Sequence, residues 1–318
     1  MENKIKILAI CGATASGKSS LALELAERHN GEIVSCDSMQ VYKKMDIGTA
    51  KPTVEEQKRV RHHMIDVADP FDNYSCAEYI KAAASAIEDI CARGKLPIVC
   101  GGTGLYLDAL LRGSDFSDDS SPDEILRREL FEYAEKNGKE ALFAELQRID
   151  PESAAAIHPN NIKRVIRAIE IYRTSGEKKS ELDRRSLEAP SRYNATVIAL
   201  RYNDREILKE RIDKRVDVMI SDGLEKETRM LLEMGVFEKN TTAAQAIGYK
   251  EFLGYFKGEM DFDKCAELLK TATRKYAKRQ MTWFNAKKYV EWIDADDTSG
   301  IKSFKEIVNS ASELFLNS

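Results

Sequence analysis

Residues 4–11 (KIKILAIC) form a short apolar run that ends in a glycine loop. Beyond the loop, Leu21, Ala22 and Leu25 recur at helical spacing until Asn30-Gly31 stops the helix. The pattern predicts strand, loop, helix. A second apolar strand, Glu32 to Cys36, runs into Asp37. Ser75, with Glu78 three residues on, opens a capped helix that continues through Tyr79, Ala83, Ile87 and Ile90 to Gly94. Leu96 to Cys100 is a third apolar strand and ends in Gly101-Gly102-Thr103-Gly104. Strands alternating with helices predict a parallel sheet covered on both sides. After Gly113 the texture changes: Ser114 to Pro122 (SDFSDDSSP) is polar and turn-rich, and the chain up to Pro190 is charged, with three helical patterns and no clear strand. Strand patterns return at Ala195 to Leu200 and at Tyr289 to Ile293, with helix-rich sequence between them. The expected organisation is an α/β core (residues 1–114 and 191–318) carrying an all-helical insertion at 115–190.

The 318 residues, 43% hydrophobic and 32% charged, suffice for one large core or a core with a smaller inserted unit. No leader pattern opens the chain and no stretch is long enough to span a bilayer, so a cytoplasmic protein away from membranes is expected. The six cysteines form no C-x-x-C pair, and the adjacent His62 and His63 would point to opposite faces of a strand. Packing and local hydrogen bonds are their expected roles. A net charge of −4 opposes nucleic-acid binding only if charge is spread evenly. Here Gly113 to Ala156 holds five Lys/Arg against twelve Asp/Glu, whereas Lys270 to Tyr289 holds seven Lys/Arg and no acid. Tyr276, Trp283, Phe284 and Tyr289 interleave those cations, as RNA contact by charge and stacking requires; a solvated helix face fits the segment equally well.

Residues 12–19 (Gly12, Ala13, Thr14, Ala15, Ser16, Gly17, Lys18, Ser19) match G-x-x-x-x-G-K-[ST] with a strand before and a helix after. This predicts a P-loop NTPase-like parallel sheet flanked by helices. The glycines let backbone amides face an anion, the helix start adds partial positive charge, and Lys18 adds a full one. The Ser19 hydroxyl is a candidate Mg²⁺ ligand beside phosphate oxygens. Such a loop implies a diphosphate or triphosphate without naming the reaction. Asp37, at a strand's carboxyl end, stands where ligands bind in parallel sheets; it can hold metal through water, take a proton from an acceptor, or cap its own turn.

Further blocks narrow the choice. S-C-D-S-M-Q-V-Y (Ser35 to Tyr42) followed by I-G-T-A-K-P (Ile47 to Pro52) resembles the tRNA dimethylallyltransferase, or IPP transferase, family. Agreement extends through H-H-M-I-D (His62 to Asp66), G-G-T-G-L-Y (Gly101 to Tyr106), H-P-N-N-I-K-R-V-I-R-A-I-E (His158 to Glu170), R-I-D-K-R-V-D-V-M (Arg211 to Met219), Q-A-I-G-Y-K-E (Gln245 to Glu251) and A-K-R-Q-M-T-W-F (Ala277 to Phe284). The resemblance implies that Gly12 to Ser19 hold the diphosphate of dimethylallyl diphosphate rather than a nucleotide. It also implies an acceptor, the exocyclic amine of the adenosine just 3′ of the anticodon. Asp37 then falls at the general base, Thr103 near the acceptor amine and Arg215 on the diphosphate. The tRNA-contacting positions fall on Asp37, Ser38, Met39 and Gln40, on Thr103, on Lys163, Arg164, Val165, Ile166 and Arg167, and on Gln245, Ala246, Ile247, Gly248, Tyr249 and Lys250, with Lys278 and Arg279 from the basic segment. A monomer is implied as well. Ala13 replaces the family's usual proline and Asn285 an arginine it often carries. A small-molecule or nucleoside kinase would use the same loop for ATP but leaves the basic segment without a task. A non-catalytic RNA-binding switch would need no strand-end Asp.

Overall fold

The computed structural model describes residues 4–112, 123–188, 190–239 and 241–318. The predicted turn-rich stretch Ser114 to Pro122 lies outside them. Strand β1 (Ile5–Gly12) sends Ile7, Ala9 and Cys11 to one face of the sheet and Leu8 and Ile10 to the other, and all five are buried. A strand covered on both faces needs apolar residues at every position, which is why this segment reads as a run rather than an alternation. Helix α1 (Lys18–Arg28) lays Leu21, Ala22 and Leu25 against the Leu8 face. Then follow β2 (Gly31–Ser35), the short α2 (Val54–Arg59) and a two-residue strand, β3 (His62–His63). Helix α3 (Cys76–Ala92) starts at the Ser75/Glu78 capping box and packs Tyr79, Ala83, Ile87 and Ile90 on the Ile7 face. Strand β4 (Leu96–Cys100) leads through the glycine turn into α4 (Gly104–Arg112).

Two compact units are present, Met1–Leu111 with Arg192–Ser318, and Arg112–Ser191. Among the described residues the second is all helical: α5 (Glu124–Asn137), α6 (Lys139–Ile149), α7 (Pro151–Ala156), α8 (Ile162–Ser175) and α9 (Lys179–Glu188). The sequence pattern predicts three helices here. Gly138 (φ +86°) and Asp150-Pro151 divide the chain further: Asp150 caps α7 from outside, and proline is accepted in the first helical turn. Leu130, Leu142, Leu146, Val165, Ile166 and Ile169 form this unit's own core.

The first unit resumes with β5 (Tyr193–Arg201), α10 (Arg205–Ser221), α11 (Leu224–Glu233), α12 (Leu253–Phe256), α13 (Phe262–Asn285), β6 (Val290–Asp294) and α14 (Phe304–Leu316). The sheet order is β3-β2-β4-β1-β5-β6 and every pairing is parallel. Helix α14 goes beyond the sequence reading, which ended at the last strand, although Ser303 and Glu306 form a capping box there too. It buries Ile307, Val308, Ala311 and Phe315 beside α1, and the isoleucine, valine and phenylalanine side chains each contribute roughly 1.5–3 kcal/mol of apolar burial. With both faces covered, the open ground lies at the carboxyl edge, where β1 delivers Gly12, β2 delivers Cys36-Asp37 and β4 delivers Gly101.

Candidate functional site

The loop after β1 is built to leave polar groups unspent. Gly12 and Gly17 have φ of +129° and +97°, values that L side chains rarely adopt, and Gly17 caps α1 without a side chain. The first amides of an eleven-residue helix therefore point outward with its positive end. Lys18 Nζ reaches back to the Ala13 carbonyl at 3.2 Å, and Arg211 Nε donates to the Ala15 carbonyl at 2.9 Å. Burial, and after it the neighbouring Arg215 charge, hold the Lys18 ammonium below the usual lysine range. Burial also lowers Arg215, partly offset by Asp37, and Arg215 Nε and Ser16 Oγ are buried without a hydrogen-bond partner in the described structure. Two crowded cations and orphaned donors have the electrostatics of a site that an anion completes.

Asp37 follows β2. Its Oδ1 accepts from the Met39 amide at 2.9 Å and the Gln40 amide at 3.4 Å, which is the turn-capping role; Oδ2 has no hydrogen-bond partner among the described residues. The Gln40 side chain is spent internally, accepting from Ser35 Oγ at 2.8 Å and donating to the Thr49 and Ala50 carbonyls. Across the crevice, Thr103 Oγ1 accepts from the Ser38 amide at 3.0 Å and donates to Ser38 Oγ at 3.3 Å, and Tyr276 lines the same cavity. Burial and the Asp37 charge push the Tyr276 phenol up, so it stays neutral. The G-G-T-G turn is shaped for its neighbours: a Cβ on Gly102 would lie 2.0 Å from Gln280 Nε2, and one on Gly104 would lie 2.3 Å from the Trp283 ring.

These elements enclose a cavity of about 280 Å³ lined by Thr14, Lys18, Ser19, Asp37, Ser38, Met39, Gln40, Arg215, Tyr276, Arg279 and Gln280, with Gln245, Ala246, Ile247 and Lys250. A second cavity of about 830 Å³ shares Lys18, Ser19, Pro52, Arg215 and Met219 with it, so the loop is approached from two sides. Cys100 is in the wall, but burial pushes its thiol up to about 11, which makes it a neutral surface rather than a nucleophile. His62 lines the cavity with its Nδ1 bound to the Val60 carbonyl at 2.8 Å.

Within the expected RNA-contacting segments, burial separates side chains that can face a ligand from those that cannot. Gln245 and Lys250 are exposed, whereas Tyr249 is fully buried and donates to Glu227 at 2.7 Å. Glu227, which sequence reasoning missed, also accepts from the amides of Asp46, Ile47 and Gly48 at 2.9–3.0 Å, tying the I-G-T-A-K-P block to the Q-A-I-G-Y-K-E block. In the helical unit, Lys163 and Arg164 are exposed on α8. Val165 and Ile166 are core residues, 1% and 2% exposed, so direct RNA contact by their side chains is corrected to a packing role. Arg167 binds the buried Glu170 at 3.0 Å, beside Arg127. Gln280 was visible in the sequence only as a member of the A-K-R-Q-M-T-W-F block and was not singled out for the site, and Tyr276 was expected to stack on RNA rather than to line this cavity.

Fold and site together define a P-loop-like α/β protein with an anion-receptive crevice at the carboxyl edge of its sheet. The profile of the IPP transferase family matches residues 40–287. The tRNA dimethylallyltransferase of Acetivibrio thermocellus is 48% identical over 291 residues, 92% of each chain. Among solved structures, the full-length tRNA isopentenylpyrophosphate transferase of Bacillus halodurans is 41% identical with a TM-score of 0.70, covering 99% of this chain and 98% of its own. A eukaryotic dimethylallyltransferase acting on tRNA is 33% identical with a TM-score of 0.83, covering 98% of this chain and 80% of its own. The chain belongs to the IPP transferase family.

Proposed function

We infer that this protein transfers a dimethylallyl group from dimethylallyl diphosphate to the N6 amine of the adenosine 3′-adjacent to the anticodon in tRNA, releasing diphosphate. The observation that carries the reading is the meeting of the glycine loop, Lys18, Arg215 and Asp37 in one cavity of a chain from this family. As the donor's C–O bond breaks, charge gathers on the leaving diphosphate. The loop amides, Lys18 and Arg215 stabilise it there. As the new C–N bond forms, the amine proton passes to Asp37, whose Oδ2 is the oxygen not held by the turn. A Mg²⁺ ion suits Ser19: a hydroxyl in the first turn of α1, facing both cavities, supplies one hard oxygen ligand, and diphosphate and water supply others. When bound, the ion would neutralise diphosphate oxygens.

The acceptor base must leave its stack to reach this crevice, so the enzyme needs a grip on the surrounding RNA. Lys278 and Arg279, exposed near the cavity, belong to that grip, together with Gln245 and Lys250. The protein acts as a monomer in the cytoplasm, where its tRNA is; no helix among the described residues is long and apolar enough to cross a membrane. Incubation with labelled dimethylallyl diphosphate or labelled ATP, with and without unmodified tRNA, tests the reading. Label from the prenyl donor is expected in RNA, and its appearance only in a small molecule or from ATP would point to a kinase.

A further inference from the structure

Gln280 projects from α13 and is 5% exposed, and both ends of its amide are used. Its Oε1 accepts from the Thr14 amide at 2.8 Å, and its Nε2 donates to the Gly102 carbonyl at 2.9 Å. Thr14 lies two residues past the end of β1 and Gly102 two residues past the end of β4. The strands themselves pair, with Ile10 opposite Cys100, but that pairing stops short of both loops. One side chain thus bridges them where the sheet no longer does. The approach is close: a Cβ at 102 would lie 2.0 Å from Gln280 Nε2, so a larger residue there would push the Gln280 amide out of its present place.

We propose that Gln280 is a positioning residue which holds the glycine loop and the Gly101–Gly104 turn at the separation that prenyl transfer requires. The inference rests on the reading above: the glycine loop then carries the donor diphosphate, and the turn carries Thr103 beside the acceptor amine. Reacting atoms must come within about 3–3.5 Å, and a misplacement of roughly 1 Å costs about a hundredfold in rate. Thr14 contributes its amide to Gln280 and not to the donor in this arrangement. Removing the bridge therefore disturbs the relative placement of the two substrates more than the hold on either one. Only a group that accepts and donates at once can serve. Methionine has the length but neither function, and a carboxylate accepts from Thr14 while turning lone pairs toward the Gly102 carbonyl. A protonated carboxylic acid, in contrast, copies the amide.

The test compares wild type, Gln280→Met and Gln280→Glu for label transfer to tRNA at saturating donor and tRNA. Affinities for inorganic diphosphate and for tRNA are measured alongside. Gln280→Met is expected to lower kcat about ten- to hundredfold with both affinities within about threefold of wild type. Gln280→Glu, expressed as a ratio to wild type at each pH, is expected to recover about tenfold as pH falls from about 8 to 5.5, because burial raises the new carboxyl's pKa and protonation restores the donor. A side chain that merely fills space would give a flat ratio. Unchanged kcat in the Met variant, a loss of diphosphate affinity alone, or a flat ratio for the Glu variant each overturn the proposal. Should the Met variant not fold, the pH ratio of the Glu variant decides. A wild-type protein that transfers nothing to RNA sinks the prenyl-transfer reading and this inference with it; a transferring wild type beside indifferent variants sinks the inference alone.

Discussion

In the proposed transfer Asp37 does two jobs with two oxygens, and a single substitution separates them. Oδ1 holds the turn through the Met39 and Gln40 amides. Asparagine keeps an oxygen for that turn but cannot accept the amine proton. Asp37→Asn is therefore expected to remain folded and to bind donor, while turnover falls by about two to four decades. Retention of more than about a third of wild-type turnover would remove Asp37 from the proton transfer. Lys18→Ala should behave differently, weakening donor binding and turnover together. The Lys18 ammonium sits below the usual lysine range because of burial and Arg215, so in the free enzyme its charge is lost at a lower pH than for an ordinary lysine. Diphosphate affinity of the wild type should accordingly decline on the alkaline side, and binding should take up protons, since an anion restores the ammonium. Calorimetry in buffers of different ionisation enthalpy reads that uptake; its absence would mean the anion is held without Lys18.

At the scale of elements, α13 shows what a charge count in sequence can and cannot say. Seven cations lie between Lys270 and Tyr289, but acids from elsewhere in the chain occupy three of them. Lys270 pairs with Asp217 at 2.8 Å, Arg274 with Asp213 at 2.8 Å, and Lys287 with the buried Asp108 at 2.5 Å. Lys275, Lys278, Arg279 and Lys288 are exposed and make no ion pair among the described residues. Trp283 is not a free stacking surface either: its ring lies against Gly104, and Lys287 sits 4.9 Å from its centroid. Each phosphate contact contributes roughly 0.7–0.9 to the log–log salt slope of RNA binding. Replacing Lys275, Lys278 and Arg279 by Ala should flatten that slope by about one to three units and leave donor affinity unchanged. An unchanged slope, with circular dichroism showing a folded helix, would make this face a solvated one. The strands, the glycine loop and the capped α3 were legible because their signals are local: a run, a motif, a box. The partners of this basic segment were not, because Asp213 and Asp217 lie on α10 and Asp108 on α4. The bridge from Gln280 to Gly102 spans 178 residues, and β3, two residues long, is too short for any periodicity.

At the scale of the whole molecule, a chain of net charge −4 must hold a polyanion, and it can do so only through segregated patches. The α/β unit presents the α13 cations. The helical unit presents Lys163 and Arg164 on α8, while Arg167 is engaged by Glu170 and Val165 and Ile166 are committed to the core. Since the two patches belong to separate compact units and share no partner, their removal should act independently. Lys163→Ala with Arg164→Ala should flatten the salt slope of tRNA binding by about one to two units, and combining this pair with the α13 triple substitution should give the sum of the two changes. The measurement is tRNA affinity from about 50 to 200 mM salt for the four proteins, with diphosphate affinity as the control that the catalytic crevice is intact. A helical-unit variant with an unaltered slope would assign the grip to the α/β unit alone. Selection of the acceptor adenosine would then rest on the residues around the cavity mouth, Gln245, Lys250 and Arg279, and the helical unit would have to serve some task other than phosphate contact.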